Sequence, residues 1–168
     1  KMALKWMKKA IKWAPAQAEY RFYLGLFEHD RGKSKKARKN FLTALELDST
    51  YAIAWYNLAV LEEEERDYAA AEDDYMRFSA LMPGDAEGYL ALANVQIRQR
   101  KYAPALTSLD IAENLVPADM RPLFMSGELL FLMEKYPEAV RKFTAVTEAE
   151  PKNAEAWFRR GEASYLIP

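Results

Sequence analysis

The fold is decided by residues 52–85, whose sequence is AIAWYNLAVLEEEERDYAAAEDDYMRFSALMPGD. Apolar residues return every three to four positions on both sides of a short polar break that ends in Arg66 and Asp67. This spacing puts the apolar side chains on one face of a helix, so the stretch predicts two amphipathic helices joined by a tight turn. Pro83 ends the second helix, because proline lacks the backbone N–H that a continuing helix would need.

The same pattern returns along the chain with a period of 34 residues. An alanine recurs in this frame without exception, at Ala3, Ala37, Ala71, Ala105 and Ala139. Four positions further on, every unit has a large apolar residue: Met7, Phe41, Tyr75, Leu109 and Phe143. In the first half of each unit, one position is always small: Gly25, Ala59, Ala93, Gly127 and Gly161. Because independent positions keep one register, the sequence predicts a helical repeat protein.

The expected fold class is all-α. Small side chains let two helices approach closely, and the large residues fill the space beside them. Prolines close most units, at Pro15, Pro83, Pro117 and Pro151, with Ser49 in the remaining place. The pattern predicts ten helices, at residues 1–13, 17–31, 34–48, 52–65, 68–81, 86–99, 102–115, 120–133, 136–149 and 154–166.

The repeat resembles the tetratricopeptide repeat family, and the resemblance covers the whole chain. The family's signature residues are matched best by one unit, at Trp55, Leu58, Ala59, Ala71, Tyr75 and Pro83. The chain departs from the pattern at Arg21 and Leu123, where an aromatic residue is usual, and at Ser49 in place of the closing proline. The resemblance implies a right-handed superhelical solenoid of antiparallel helix pairs.

In this frame the chain is expected to be a single solenoid over residues 1–168 that is cut within a repeat at both ends. Its parts are a half-repeat at 1–17, full repeats at 18–51, 52–85, 86–119 and 120–153, and a half-repeat at 154–168. Terminal repeats need a polar outer face, whereas the opening helix has apolar residues to spare, including Trp6 and Trp13. We therefore interpret the chain as a piece of a longer solenoid, and self-association through the two ends stays open.

Charge and composition limit the classes of partner. Residues 1–42 hold twelve Lys and Arg against three Asp and Glu, whereas residues 43–100 hold four against twelve. A chain with one basic segment and one acidic segment is a poor general binder of nucleic acid, so the expected partner is a protein or peptide. The chain has no cysteine, which excludes disulfides and thiolate metal sites and leaves the redox compartment open. No apolar run approaches the roughly 18 residues that a membrane span needs, so we expect no direct insertion.

Three features resemble functional sites but have simpler interpretations. His29 is the only histidine and has no second His or Cys to share a metal, so we interpret it as a solvated surface residue. The acidic run at residues 62–65 lacks the spacing of a calcium loop, and we expect it to lean toward the basic segment 33–39. The opening helix is basic and amphipathic, but its apolar residues coincide with core positions of the repeat. This coincidence favours an interior repeat helix over a membrane or nucleic-acid surface.

The sequence has no glycine-rich phosphate loop and no Ser–His–Asp set, so we expect no catalytic residue and no cofactor.

The resemblance implies instead that the first helix of each unit lines a concave groove through its second, fifth, sixth, ninth and twelfth residues. The predicted peptide-binding residues are Phe22, Tyr23, Tyr56, Asn57, Leu90, Asn94, Arg121, Phe124, Phe131, Phe158 and Arg159. Tyr56, Phe124 and Phe158 are the expected aromatic anchors. The asparagines would hold a peptide backbone, and the arginines would read its charge.

The same comparison with the family argues against one of its binding types. Co-chaperones of the family grip the carboxylate end of heat-shock proteins with Lys, Asn and Arg residues spread over three units. At those places this chain has Phe22 and Leu26, then Asn57, then Glu87 and Ala91. The predicted function is therefore an adaptor or assembly scaffold that binds an apolar or amphipathic peptide or helix. A self-associating structural solenoid, or an appendage of a larger enzyme, remains an alternative.

Overall fold

The computed structural model describes residues 2–167; Lys1 and Pro168 lie outside the described residues, as does the side chain of Ala3. Residues 2–167 form ten helices and no strand. The helices are α1 Met2–Trp13, α2 Ala18–His29, α3 Ser34–Leu47, α4 Ala52–Glu64, α5 Tyr68–Leu81, α6 Ala86–Arg98, α7 Tyr102–Leu115, α8 Met120–Leu132, α9 Tyr136–Ala149 and α10 Ala154–Tyr165. The predicted helices are confirmed, each to within two residues at either end, apart from the predicted start at Lys1.

The chain consists of two compact units, Lys1–Pro83 and Gly84–Pro168. In the first unit, α2 packs on α3 and α4 packs on α5. In the second unit, α6 packs on α7 and α8 packs on α9, while α10 also packs on α9. These are the helix pairs that the 34-residue frame predicts. The division of residues 1–168 into one solenoid with two half-repeats remains a prediction.

The repeated small and large residues form the core of each unit. Ala37 and Ala71 in the first unit, and Ala105 and Ala139 in the second, are fully buried. The large residues four positions further on are buried as well, namely Phe41, Tyr75, Leu109 and Phe143. The register read from the sequence is therefore the register of the packed helix pairs.

Two glycines make room for a phenylalanine ring of the paired helix. A Cβ atom on Gly25 would lie 2.6 Å from the ring of Phe41, and one on Gly127 would lie 2.7 Å from the ring of Phe143. Atoms that close would clash, so both positions require the missing side chain. Gly161 occupies the same place in α10, but a Cβ atom there would meet nothing within 4 Å.

The first helix of every full repeat ends in the same turn. One residue of each turn has a left-handed backbone, with φ of 67° at Gly32, 64° at Arg66, 60° at Arg100 and 60° at Glu134. In the turn after α6, the N–H of Lys101 donates to the carbonyl of Gln96 at 2.8 Å, and the N–H of Arg100 donates to that of Ile97 at 2.9 Å. This bond pattern is a Schellman motif, which satisfies carbonyls that the helix end leaves free.

We predict that Gly127→Ala lowers the free energy of unfolding by about 1–3 kcal/mol, because the added methyl overpacks the contact with Phe143. Gly161→Ala is the matched control, since it places the same methyl at an open position of the frame. Alanine in a helix is favoured over glycine by about 0.5–1 kcal/mol, so this variant should be slightly more stable. Urea unfolding of both variants measures the difference. Equal effects would mean that the contact with Phe143 does not decide the cost.

A second pair of variants tests the turns. Gly32→Ala should cost about 1 kcal/mol, because a Cβ atom is strained in the left-handed region. Arg100→Gly removes that strain but makes the unfolded chain more flexible, so we expect a gain below about 1 kcal/mol. Thermal unfolding of the two variants should therefore shift in opposite directions. A shift in the same direction would contradict the role assigned to the left-handed residue.

Candidate functional site

The candidate site of the second unit is a cavity of about 580 Å³. Its walls come from α9 and from the first helices of successive repeats, α6, α8 and α10. The lining residues are Asn94, Ile97, Arg98, Met125, Glu128, Leu129, Phe131, Leu132, Phe143 and Arg159. The cavity brings together three of the predicted peptide-binding residues, which are Asn94, Phe131 and Arg159.

The floor of this cavity is apolar. Leu129 and Phe143 are buried in the core, and Phe131 is half-buried with its ring edge-on to Tyr136 at 5.5 Å between centroids. Leu132 stands at the wall with 58% of its surface exposed. A cavity of this size with an apolar floor and a few polar groups is typical of a ligand-binding site.

The charged groups of the cavity differ in how far they are already paired. Arg159 bridges two carboxylates, with Nη2 2.8 Å from Glu128 Oε1 and Nη1 3.1 Å from Glu162 Oε2. Arg98 is exposed and forms no ion pair among the described residues. The guanidinium available to an acidic ligand is therefore that of Arg98. Arg159, which the sequence predicted to bind the charge of a peptide, is already neutralised by Glu128 and Glu162.

Arg121, the other predicted charge reader, is also held by acidic neighbours. It forms an ion pair with Glu87 of the preceding repeat and another with Asp119, whose Oδ2 lies 2.7 Å from Arg121 Nη2. The hydrogen bond from Arg121 is the main cause that lowers the pKa of Asp119. Together with Phe124, Arg121 lines a second, smaller cavity of about 290 Å³.

Two of the residues predicted to line the groove at the fifth position of their repeat, Phe22 and Leu90, are buried and not open to a partner. Phe22 and Leu90 each expose only 4% of their surface. Phe22 packs against the ring of Tyr51 at 5.2 Å and that of Phe41 at 5.8 Å, so it belongs to the core of its unit. Phe158, by contrast, is 64% exposed. The physical reason is that a residue at this position packs on the second helix of its repeat. Phe22 shares a core cluster with Ala37 and Phe41 of α3, and Leu90 shares one with Ala105 and Leu109 of α7.

The other predicted residues of the first unit lie at the surface or at its edge. Tyr23 is 48% exposed. Tyr56 is half-buried, with its ring 5.4 Å from that of Tyr75 and 5.1 Å from that of Phe78. Asn57 donates a hydrogen bond to the carbonyl of Ile53 in its own helix at 2.8 Å. Their role in binding a peptide remains a prediction.

His29 is not the freely solvated residue that the sequence predicted. Its side chain is 25% exposed, and Nε2 lies 2.8 Å from Glu64 Oε2 on the first helix of the next repeat. The pairing was missed because the two residues are 35 positions apart, one more than the repeat period.

The expectation for residues 62–65 is confirmed, since Arg38 of the basic segment contacts Glu62 at 2.5 Å and Glu65 at 2.7 Å.

Sequence reasoning missed Arg98 and Leu132 as lining residues of the larger cavity. Both are the thirteenth residue of their repeat, a position that the family's groove pattern does not include. Each is the last residue of its helix, α6 or α8. A scan of the 34-residue frame for exposed residues at the helix ends would have found both.

The described residues 2–167 contain no group of three His, Asp or Glu side chains arranged to hold a metal ion. None of the helices in this range combines the length and the apolar character that a bilayer-spanning helix requires.

The fold and the cavity define a helical repeat protein with a ligand-sized cavity built across successive repeats. Two family models match the chain, the TPR repeat over residues 25–63 and the tetratricopeptide repeat over residues 124–167. The chain belongs to the tetratricopeptide repeat family. Proteins of this family are generally non-enzymatic scaffolds that bind protein partners, and the fold of this chain supports such a scaffold.

Relatives by sequence are longer than the chain. An uncharacterized TPR repeat-containing protein of Arabidopsis thaliana is 30% identical over 82 residues, which are 49% of this chain and 10% of that protein. The BBSome complex member BBS4 of Bos taurus is 23% identical over 155 residues, which are 92% of this chain and 30% of that protein. The chain therefore spans less than a third of the length of either relative.

Solved structures share the fold. MamA is 26% identical with a TM-score of 0.82, and the match covers 91% of this chain and 90% of MamA. YrrB, described as a TPR protein with an unusual peptide-binding site, is 25% identical with a TM-score of 0.81, over 94% of this chain and 81% of YrrB. A tetratricopeptide repeat protein from Parabacteroides merdae is 20% identical with a TM-score of 0.81, over 98% of this chain and 65% of its own.

Proposed function

We propose that the chain is an adaptor or assembly scaffold that binds a segment of another protein in the larger cavity of its second unit. The observation that carries the proposal is the cavity itself, which combines an apolar floor with walls from three successive repeats. Exposed apolar surface is costly unless a partner covers it, and Leu132 is 58% exposed beside this floor. YrrB, a similar protein, is described as having a peptide-binding site, which supports the same class of ligand.

The polar groups around the floor suggest the chemistry of the segment. A large apolar side chain fits between Ile97, Met125 and Leu132, which line the cavity. Asn94 is exposed at the same cavity and offers its amide to a peptide backbone. Arg98 offers its guanidinium to a carboxylate, which is the group that this side chain binds best. The proposed ligand is therefore an apolar or amphipathic segment with an acidic residue next to its apolar anchor.

The proposal excludes the carboxylate-clamp type of ligand. Of the clamp positions, Phe22 is buried and Glu87 is an acidic residue in an ion pair with Arg121. Asn57, the one matching residue, already donates to its own helix. A peptide that ends in acidic residues and a free carboxylate should therefore bind weakly.

We predict that Leu132→Ala weakens the binding of a peptide selected from a random peptide library by about 2 kcal/mol or more, because binding energy concentrates in apolar anchors that lose water. Leu42→Ala is the matched control, since Leu42 on α3 is also exposed, at 43%, and is not one of the residues that line the cavity. Titration calorimetry of both variants measures the difference. The assignment of the binding site to this cavity is wrong if Leu42→Ala weakens binding and Leu132→Ala leaves it unchanged.

Arg98→Ala tests the acidic residue of the ligand. An exposed ion pair contributes at most about 1 kcal/mol, so the loss should be small at physiological salt. The loss should increase at low ionic strength, where exposed charges are less screened. The same titrations at two salt concentrations show the effect. A loss that is independent of salt would mean that Arg98 contributes through packing, and the acidic residue would be withdrawn from the proposal.

A further inference from the structure

Two carboxyl groups are buried against each other within the first unit. Glu62, on α4, is 5% exposed, and Asp74, on α5, is 8% exposed. Both side chains lie between the two helices of one repeat, at positions whose equivalents in the next repeat, Gln96 and Ser108, are joined by a hydrogen bond of 2.9 Å. Acidic residues are almost never buried to this extent without a compensating partner.

The cations around this pair do not compensate both groups. Arg38, on α3, places Nη1 2.5 Å from Glu62 Oε1, and its Nη2 is used by Glu65 at 2.7 Å. The cation that pairs with Asp74 among the described residues is Arg77, whose Nε lies 4.0 Å from Asp74 Oδ1 on a side chain that is 59% exposed. Two further carboxylates, Asp67 and Asp73, add negative charge from the turn before α5 and from α5 itself.

One oxygen of the pair has no hydrogen-bond partner as long as both groups are ionised. Glu62 Oε2 is buried and accepts no hydrogen bond. A proton on Asp74 would let this carboxyl donate to Glu62, so that one proton replaces a repulsion with a hydrogen bond. Burial is the main cause that raises the pKa of Asp74 to about 7, and the charge of Glu62 adds to it. Burial also raises the pKa of Glu62.

We propose that Glu62 and Asp74 together bind one proton, and that its gain or loss controls how firmly α3, α4 and α5 pack on one another. With the proton bound, the hydrogen bond between the two carboxyl groups holds α4 to α5. Arg38 holds α3 to α4 through its ion pair with Glu62. When the proton leaves, two buried carboxylates repel each other across the helix pair while Arg38 stabilises only one of them. This part of the first unit then becomes less stable.

The next repeat along the chain contains a version of the pair that cannot titrate. Gln96 and Ser108 are the residues 34 positions after Glu62 and Asp74, and both are buried. The hydroxyl of Ser108 donates to Gln96 Oε1 at 2.9 Å. This place between the two helices therefore accommodates a hydrogen bond between two neutral side chains. A proton shared by Glu62 and Asp74 would supply an equivalent hydrogen bond in the preceding repeat.

The direction of the pH effect follows from the folded and unfolded states. An aspartate in an unfolded chain has a pKa near 4, whereas the pKa of Asp74 in the folded state is about 7. Between these values the folded chain holds a proton that the unfolded chain has released, so stability falls as pH rises. The contribution is complete below the unfolded pKa and is lost as pH rises through the folded value.

The direct test is carboxyl-carbon NMR of the intact chain labelled at Asp and Glu. We expect one titration of the pair with a midpoint near pH 7. Hydrogen exchange, corrected for its intrinsic pH dependence, should become faster in α3, α4 and α5 between pH 5.5 and pH 8. Exchange in α8 and α9 serves as the internal reference and should not change in this way.

The variant Glu62→Gln with Asp74→Ser copies the neutral pair of the next repeat and should remove the pH dependence of exchange in α3 to α5. Asp74→Asn alone is a smaller change. The asparagine amide can donate an N–H to Glu62 and does not titrate in this pH range, so this variant should have the same effect. Two results would overturn the proposal. One is an ordinary carboxyl pKa below 5 for both residues. The other is a pH dependence in α3 to α5 that persists in whichever of these variants folds.

Discussion

The structure depends on the close approach of two helices within each repeat, where a small residue on the first helix faces a large one on the second. Gly25 against Phe41 and Gly127 against Phe143 are the closest contacts of this kind, because a single methyl group on either glycine would overlap the ring. A contact without spare room permits one register only. If one helix slid by a turn, a larger side chain would meet the ring. The register in turn decides which residues of α8 face outward, so the lining of the cavity follows from a contact in the core.

This constraint explains why the fold could be predicted from the sequence. Its signals are local, since the alanine of each second helix and the large residue four positions later identify the register without knowledge of distant contacts. The helix ends were less certain by one or two residues. Gly32 signals its turn, but Arg66, Arg100 and Glu134 adopt the same left-handed backbone without a residue type that indicates it. Their turns are dictated by the packing of the two helices that they join.

The candidate site was predictable only in part, because its properties depend on pairs of residues in different repeats. The sequence places Arg121 and Arg159 on the predicted groove, but it does not show that Glu87 and Glu128 neutralise them. Glu87 and Arg121 occupy the same place of successive repeats, so comparing charges at equal positions would have found their ion pair. The burial of Phe22 could not be read in this way, because it depends on how the ring of Tyr51 turns toward it.

The same frame that makes the fold regular leaves the chemistry of individual positions free. The place between the helices of a pair holds two carboxyls at Glu62 and Asp74, and an amide with a hydroxyl at Gln96 and Ser108. Each of these pairs contacts mainly its own repeat and the neighbouring ones, and the stability of such arrays is close to a sum of local terms. A titratable pair in one repeat therefore changes the stability of that repeat without unfolding the rest. For this reason a repeat protein can respond to pH at one place and keep a binding surface intact at another.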